Sequence, residues 1–296
     1  MQMKQLTVIS GKGGTGKTTL TAAFAHLADN PVIADCDVDA ADLHLLLTPR
    51  TVKQETFYGN RAASIDKERC SKCGHCEESC RFGAIHGFEV DKTSCEGCEV
   101  CAHICPEKAI SLKERLSGYW FVSDTREGPM VHARLGIGAE NSGKLVSLVR
   151  QEAKDIAERE KKELIIIDGP PGIGCPVIAA IGGVTLVLVV TEPTLSGLHD
   201  LKRILEVATH FHIPAMVCIN KCDINPENTR IIEAYCAEKE ITVAGRIPFA
   251  PEVTRAMMNV LSVAEYPCGQ VTEEVIKVWG KVEEYLSGVN KAECSF

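Results

Sequence analysis

The sequence lacks an excess of positive charge: 32 Lys and Arg stand against 40 Asp and Glu, a formal net charge of -8. Nucleic acid and anionic membrane surfaces both select basic patches, so neither is the expected partner. A charged segment, an apolar segment and a cleavage site are also missing from the start, where the strand-like run Leu6 to Ser10 begins almost at once. No export signal is read there, and a cytoplasmic location is expected. Uninterrupted apolar runs are absent as well. The most apolar stretch, Cys175 to Thr191, is broken by Pro176, Gly182 and Gly183 and reads as helix, turn and buried strand, so no stable membrane anchor is expected. Core material is ample, with 45% of 296 residues apolar, enough for one large domain and one small one.

Cysteine, by contrast, is abundant. The chain has 15, of which eight fall between Cys70 and Cys105. A chain of this size folds without disulfide staples, so metal or redox chemistry is the expected use.

The apolar run Leu6 to Ser10 leads into Gly11-Lys12-Gly13-Gly14-Thr15-Gly16-Lys17-Thr18-Thr19, followed by apolar residues at Leu20, Phe24 and Leu27. That order is strand, glycine loop, helix. Backbone N–H groups of such a loop curl around phosphate oxygens at a helix N-terminus, Lys17 reaches the β and γ phosphates, and Thr18 holds Mg²⁺. Lys12 is an addition that a plain phosphate loop does not need. With it the run resembles the deviant Walker A motif of the MinD, ParA, Mrp and nitrogenase iron protein superfamily. The resemblance implies an ATP-sandwich dimer, homo- or heteromeric, in which Lys12 reaches the partner's nucleotide and neutralises charge on the transferred phosphoryl group.

Further motifs follow in that superfamily's order. The strand read at Pro31 to Ala34 delivers Asp35-Cys36-Asp37, similar to switch I: Asp37 is expected to orient the attacking water and Asp35 to support Mg²⁺. Asp39 and Asp42 continue an acidic run that solvation alone explains. Leu164 to Ile167 ends in Asp168-Gly169-Pro170-Pro171-Gly172, resembling switch II, with Asp168 on Mg²⁺-bound water and the Gly172 N–H on the γ phosphate. Asn220-Lys221-Cys222-Asp223 resembles a base-reading turn, in which Asn220 is the base contact, ATP is the expected nucleotide and Asp223 caps the turn. Arg246-Ile247-Pro248-Phe249 resembles the segment beside the base.

Cys70, Cys73, Cys76 and Cys80 are spaced C-x2-C-x2-C-x3-C, and Cys95, Cys98, Cys101 and Cys105 repeat the spacing, with Pro106 after the last. Three close thiolates wrap one cubane while the fourth reaches the other. Cluster one is therefore expected on Cys70, Cys73, Cys76 and Cys105, and cluster two on Cys95, Cys98, Cys101 and Cys80. The segment resembles a bacterial 2[4Fe-4S] ferredoxin, with one departure, Arg81 where a proline usually follows the fourth cysteine. Zinc, the alternative, favours paired C-x2-C knuckles. His75 and His103 read as surface residues, and Cys218 and Cys222 as packing. Cys175, just past switch II, is weighed as a bridging ligand against ordinary burial.

The remaining strands, Thr185 to Val190, Ala215 to Ile219 and Thr242 to Ile247, alternate with helical patterns, including those at Leu198 to Thr209, Pro226 to Lys239 and Thr272 to Leu286. The expected fold is a doubly wound, mainly parallel α/β phosphate-loop sheet over residues 1–62 and 113–296. A small α+β ferredoxin-like domain, residues 63–112, is expected to interrupt it after the second strand. The expected function is an ATPase that couples a nucleotide-driven dimer switch to metallocluster assembly or electron delivery to a client metalloprotein. The alternatives are an electron donor of nitrogenase-iron-protein type and a MinD-type positioning ATPase. The second requires a basic amphipathic C-terminal helix, which the glutamate-rich tail from Thr272 does not supply.

Overall fold

Short runs rich in Val, Ile and Leu alternate with longer amphipathic ones. In the computed structural model, which describes residues 3–136 and 143–292, they become strands and helices in turn. The first half holds β1 (Lys4–Ser10), α1 (Lys17–Leu27), β2 (Val32–Asp35), α2 (Leu43–Leu47) and the long β3 (Arg50–Ile65). The cysteine-rich stretch folds as α3 (His75–Glu78), β4 (Ile85–His86), β5 (Glu89–Val90) and α4 (Val100–Ile104). The chain returns through β6 (Ile110–Thr125) and β7 (Gly128–Leu135), then α5 (Lys144–Glu160), β8 (Leu164–Pro171), α6 (Cys175–Ile181) and β9 (Leu186–Thr191). It ends with α7 (Leu195–His210), β10 (Ala215–Asn220), α8 (Pro226–Glu238), β11 (Thr242–Ile247), α9 (Glu252–Met258) and α10 (Gln270–Ala292).

One nine-stranded sheet runs in the order β11-β10-β9-β1-β8-β2-β7-β6-β3. Pairing is parallel from β11 to β7, and antiparallel only where β6 and β3 are added at one edge. Central strands such as β2 and β9 are buried along their whole length, as helices on both faces require. The period of two sorts β1 between the layers: Leu6 and Val8 face α1 and α10, while Ile9 faces the layer built from α5, α6, α7 and α8.

The C-terminal helix α10 is amphipathic, and its apolar stripe is already covered. Val271, Val275, Val278, Trp279, Val282 and Leu286 are buried against the sheet, with the Trp279 ring 5.3 Å from that of Phe24. Among the described residues no helix is long and apolar enough to cross a membrane.

Two features depart from the sequence reading. The cysteine-rich segment does not follow the second strand: α2 and the 16-residue β3 intervene, and the segment is slung between β3 and the equally long β6. Ala63 and Leu112, the expected ends of the insertion, are cross-strand partners inside this pair. β3 escaped notice because its first seven residues are all exposed, so no hydrophobic alternation marks them.

The direction of β3 and β6 matters for function. β7 is parallel to β2 with Asp35 opposite His132, so Leu135 lies past the carboxyl edge of the sheet. β6 meets Leu135 at Gly118 and continues outward with β3 alone, residues 58–65 against 110–117. This free ribbon projects from the carboxyl edge by roughly 25 Å, at about 3.3 Å per residue. Replacing Trp279 with alanine, which empties the largest side chain on α10's buried face, is expected to cost about 3–5 kcal/mol in urea unfolding. A loss below 1 kcal/mol would mean that α10 is not part of the core.

Candidate functional site

The loop between β1 and α1 turns on Gly14 (φ +79°) and Gly16 (φ +93°), a left-handed backbone that favours glycine. Gly16 is doubly constrained, since a Cβ there would stand 2.3 Å from the Asn220 side-chain nitrogen. Lys17, Thr18 and Thr19 then open α1. The loop from Gly13 to Thr19 walls one side of a cavity of about 640 Å³. Asp37, Asn220 and the segment Ile247-Pro248-Phe249 line other parts of it. All of these lie at the carboxyl ends of parallel strands, where open α/β sheets bind ligands.

Beneath the loop, opposite charges converge. Lys17 Nζ is 2.9 Å from Asp37 Oδ2 and 3.2 Å from Asp168 Oδ1, and the Thr18 hydroxyl donates to Asp168 Oδ2 at 2.7 Å. Thr21, which sequence reasoning missed, donates to Asp168 Oδ1 at 3.0 Å from one turn farther along α1. Asp35 and Asp168 are register partners on β2 and β8, and Asp35 accepts the Asp37 backbone N–H at 3.2 Å. Burial, and then repulsion from Asp168, pushes the Asp35 carboxyl well above the ordinary aspartate range. Burial likewise raises Asp37, against the pull of Lys17. Burial alone would lower Lys17, but Asp168 and Asp37 hold it above the usual lysine value.

Three carboxylates thus face one ammonium. Thr15 Oγ1, Asp35 Oδ2 and Asp37 Oδ1 are buried with no hydrogen-bond partner. Orphaned acceptors around a surplus of negative charge fit a divalent cation with its water shell and phosphate oxygens. The donor set is hard oxygen throughout, which suits Mg²⁺.

Other expected residues occupy different roles. Lys12 lies outside the cavity lining, held by Glu192, with Thr194 Oγ1 at 3.3 Å and Ser196 Oγ at 3.2 Å. Glu192 also binds Lys221, whose ammonium reaches the Gly14 carbonyl at 3.0 Å; neither residue's role had a signal in the sequence. Gly11 is likewise outside the lining, packed so closely on α7 that a Cβ would meet Asp200. The expectation that Gly172 offers its N–H to a phosphate is corrected: that N–H donates to the Ser10 carbonyl at 2.9 Å, extending the β1–β8 pairing. Asn220 lines the cavity, but its side-chain nitrogen donates to the Thr15 carbonyl at 2.8 Å, so here it braces the loop. Asp223 accepts the Phe249 N–H at 2.7 Å and so fixes the segment that closes the cavity.

The cysteines of the two runs separate into two cavities. One is lined by Cys70, Cys73, Cys76 and Cys105, the other by Cys80, Cys95, Cys98 and Cys101. These are the two crossed sets that the spacing predicts. Apolar side chains, Ile110 behind the first and Ala84, Ile85 and Leu112 behind the second, back the thiols. Backbone N–H groups of Ala84 and Ala109 donate to Cys80 Sγ and Cys105 Sγ, each at 3.3 Å and each four residues on from its cysteine. A single zinc would draw four thiolates to about 3.8 Å from one another. Among the described residues the only three donors within 4.8 Å of one another are His26, Glu127 and Glu265, where Arg126 already pairs with both carboxylates. The thiol sets stand too wide for one ion and fit a cubane.

His75 and His103 are exposed. Cys218 is buried, its thiol pushed up to about 12 by burial, and Cys222 is partly buried, both in keeping with packing. Cys175 is exposed at the start of α6.

Loop, converging carboxylates and cavity together define a phosphate-loop nucleotide-binding protein. The chain matches the CobQ/CobB/MinD/ParA nucleotide binding domain over residues 6–263, and it belongs to that family of nucleotide-binding ATPases. An uncharacterized protein of Methanocaldococcus jannaschii is 32% identical over 289 residues, covering 95% of this chain and 97% of that one. The septum site-determining protein MinD of Pyrococcus horikoshii, solved with Mg-ADP, superposes with a TM-score of 0.59 over 97% of this chain and 98% of its own, at 17% identity. A shorter match, 40% over 50 residues, links 17% of this chain to 62% of the pyruvate synthase subunit PorD of Methanothermobacter marburgensis.

The raised Asp35 fixes the sign of a pH effect. A carboxyl that holds its proton more tightly when folded stabilises the fold below its unfolded value, and that contribution is lost as pH rises through the folded value. Asp35→Asn is therefore expected to raise the melting temperature of the nucleotide-free protein at neutral pH and to flatten its decline from mildly acidic to neutral pH. An unchanged profile would show that Asp35 is not the strained group.

Proposed function

We propose that this chain is an ATP-hydrolysing switch that dimerises across its nucleotide sites and carries two 4Fe-4S clusters, whose use by a client metalloprotein is timed by the nucleotide. The observation that carries this reading is the sorting of eight cysteines into two separate thiol-lined cavities at the end of a ribbon rooted on the nucleotide-binding edge. The match of a 50-residue stretch to a pyruvate synthase subunit supports a redox role for a segment of that size.

Lys17 and the loop N–H groups hold the β and γ phosphates. Thr18 and Asp168 hold Mg²⁺, with Asp35 behind them, and Asp37 orients the attacking water. When phosphate and Mg²⁺ enter, Lys17 exchanges carboxylate partners for phosphate oxygens, which frees Asp37 for that task. Lys12 is one third exposed in its pairing with Glu192, and that surface pairing is weak enough to yield to a phosphate across a dimer interface. The partner is a second copy or a related ATPase.

The clusters would be held by Cys70, Cys73, Cys76 and Cys105, and by Cys80, Cys95, Cys98 and Cys101, and they supply one-electron transfer. The thiols' own chain supplies apolar backing and N–H donors, which set solvent access and potential. Placement of the segment over the nucleotide edge favours electron delivery to a metallocluster client over positioning of the MinD type. The apolar stripe that a membrane-seeking α10 would present is packed in the core.

Anaerobically purified protein is expected to carry about eight iron and eight sulfide per chain, four of each per cluster. Protein purified in this way without iron would remove the redox half of the proposal. Lys12→Ala is expected to lower ATP turnover on the order of 100-fold with nucleotide affinity nearly unchanged. Full turnover in that variant would overturn catalysis across the dimer.

A further inference from the structure

The two cysteine cavities differ in their relation to the sheet. Cys95 Sγ accepts a hydrogen bond at 3.4 Å from the backbone N–H of Ala63, which lies on β3, outside the loops that hold the cysteines. The set of Cys70, Cys73, Cys76 and Cys105 has its N–H donor, Ala109, within its own segment. Two more contacts tie the second set to the ribbon. Gly97 lies so near β3 that a Cβ would stand 2.4 Å from the Arg61 carbonyl oxygen, and Arg61 meets Glu99 at 3.1 Å.

The same stretch of ribbon touches the nucleotide-binding body. Gly59, Arg61, Glu96, Gly97 and Lys144 border one cleft, in which Lys144, at the start of α5, approaches the Gly59 carbonyl at 3.5 Å. α5 packs on β2, β8 and α6, so it contacts the elements that carry Asp35, Asp168 and the turn after it. Gly143 abuts the Cys175 carbonyl in that turn, where a Cβ would stand 3.2 Å away.

We infer that the two clusters are unequal, and that the one held by Cys80, Cys95, Cys98 and Cys101 is the cluster whose reduction potential follows the nucleotide state. Ala63, through its N–H, is the positioning residue. The inference rests on the cluster reading given above. Hydrogen bonds to ligand sulfur stabilise the more negative reduced cluster, so a shift of the ribbon that lengthens the Ala63 bond lowers that potential, while the other cluster has no comparable bond to the ribbon.

Ala63 offers a clean test. β3 is the edge strand, and the Ala63 N–H points to sulfur, away from β6, so proline there removes the donor without breaking a ladder bond. Arg61→Met removes an exposed ion pair of little weight in stability. The experiment is an anaerobic potentiometric titration of the full-length, iron-loaded protein, followed by electron paramagnetic resonance. It is run with ADP and with a non-hydrolysable ATP analogue, each with Mg²⁺.

In the parent protein, one midpoint is expected to move between nucleotides by at least a tenfold change in reduction equilibrium, about 59 mV for one electron. Ala63→Pro lowers that same midpoint and leaves the other in place. Arg61→Met keeps both clusters and shrinks the nucleotide-dependent shift. The inference is overturned if nucleotide moves the midpoint that Ala63→Pro leaves alone, moves both equally or moves neither. Should Ala63→Pro not retain iron, Arg61→Met decides, and an undiminished shift there overturns the inference. Parent protein without iron would overturn the cluster reading itself, a separate and recognisable failure.

Discussion

The parallel register of β1, β8 and β2 is the constraint on which the rest depends. Because these strands run the same way and pair with Val8 opposite Asp168 and Asp168 opposite Asp35, the phosphate loop and both acidic turns emerge at one edge. Lys17 is then within hydrogen-bonding distance of Asp37 and Asp168 without any long loop to carry it there. A sheet buried on both faces tolerates no slip of that register, since a one-residue shift would turn Asp35 and Asp168 into the core. The parallel pairing continues to β7, and that decides where the cysteine-bearing ribbon goes. It leaves from the carboxyl edge, the edge that holds the nucleotide cavity.

The electrostatics of the cavity follow from the same crowding. Asp35 is fully buried beside a second carboxylate and lacks a partner on one oxygen, an arrangement that costs stability in the nucleotide-free chain. Such a cost is the mark of a site shaped for a missing cation, and it gives Mg²⁺ and phosphate something to relieve on arrival. Lys12 and Lys221 share Glu192 beside the loop, so the loop's resting charge balance is set partly by a strand end, β9, that carries no recognisable motif.

Legibility in the sequence tracked how local each feature is. The loop, the paired acidic strand ends and the two cysteine runs are short motifs whose spacing carries their chemistry, and the structure gathers their side chains as spaced. The central strands were readable because complete burial demands unbroken apolar runs. The ribbon was not, because Arg50 to Thr56 face solvent and Gly59 and Gly118 sit where strand propensity is poor. The roles of Gly172 and Asn220 depended on partners far away in sequence, Ser10 and Thr15, which no spacing within the switch or base motifs reveals. Thr21, Glu192 and Ala63 act through single contacts of the same long-range kind.

The central claim is mechanical: a change at the phosphates reaches the cysteine segment through α5 and the ribbon. Hydrogen–deuterium exchange of the intact, iron-loaded protein, compared between ADP and a non-hydrolysable ATP analogue, tests it most directly. The account predicts altered protection in residues 58–65, 96–99 and 110–117 together with the phosphate loop and the turn after β8. Changes confined to the loop and that turn, with the ribbon and the 96–99 stretch indifferent to nucleotide, would contradict it.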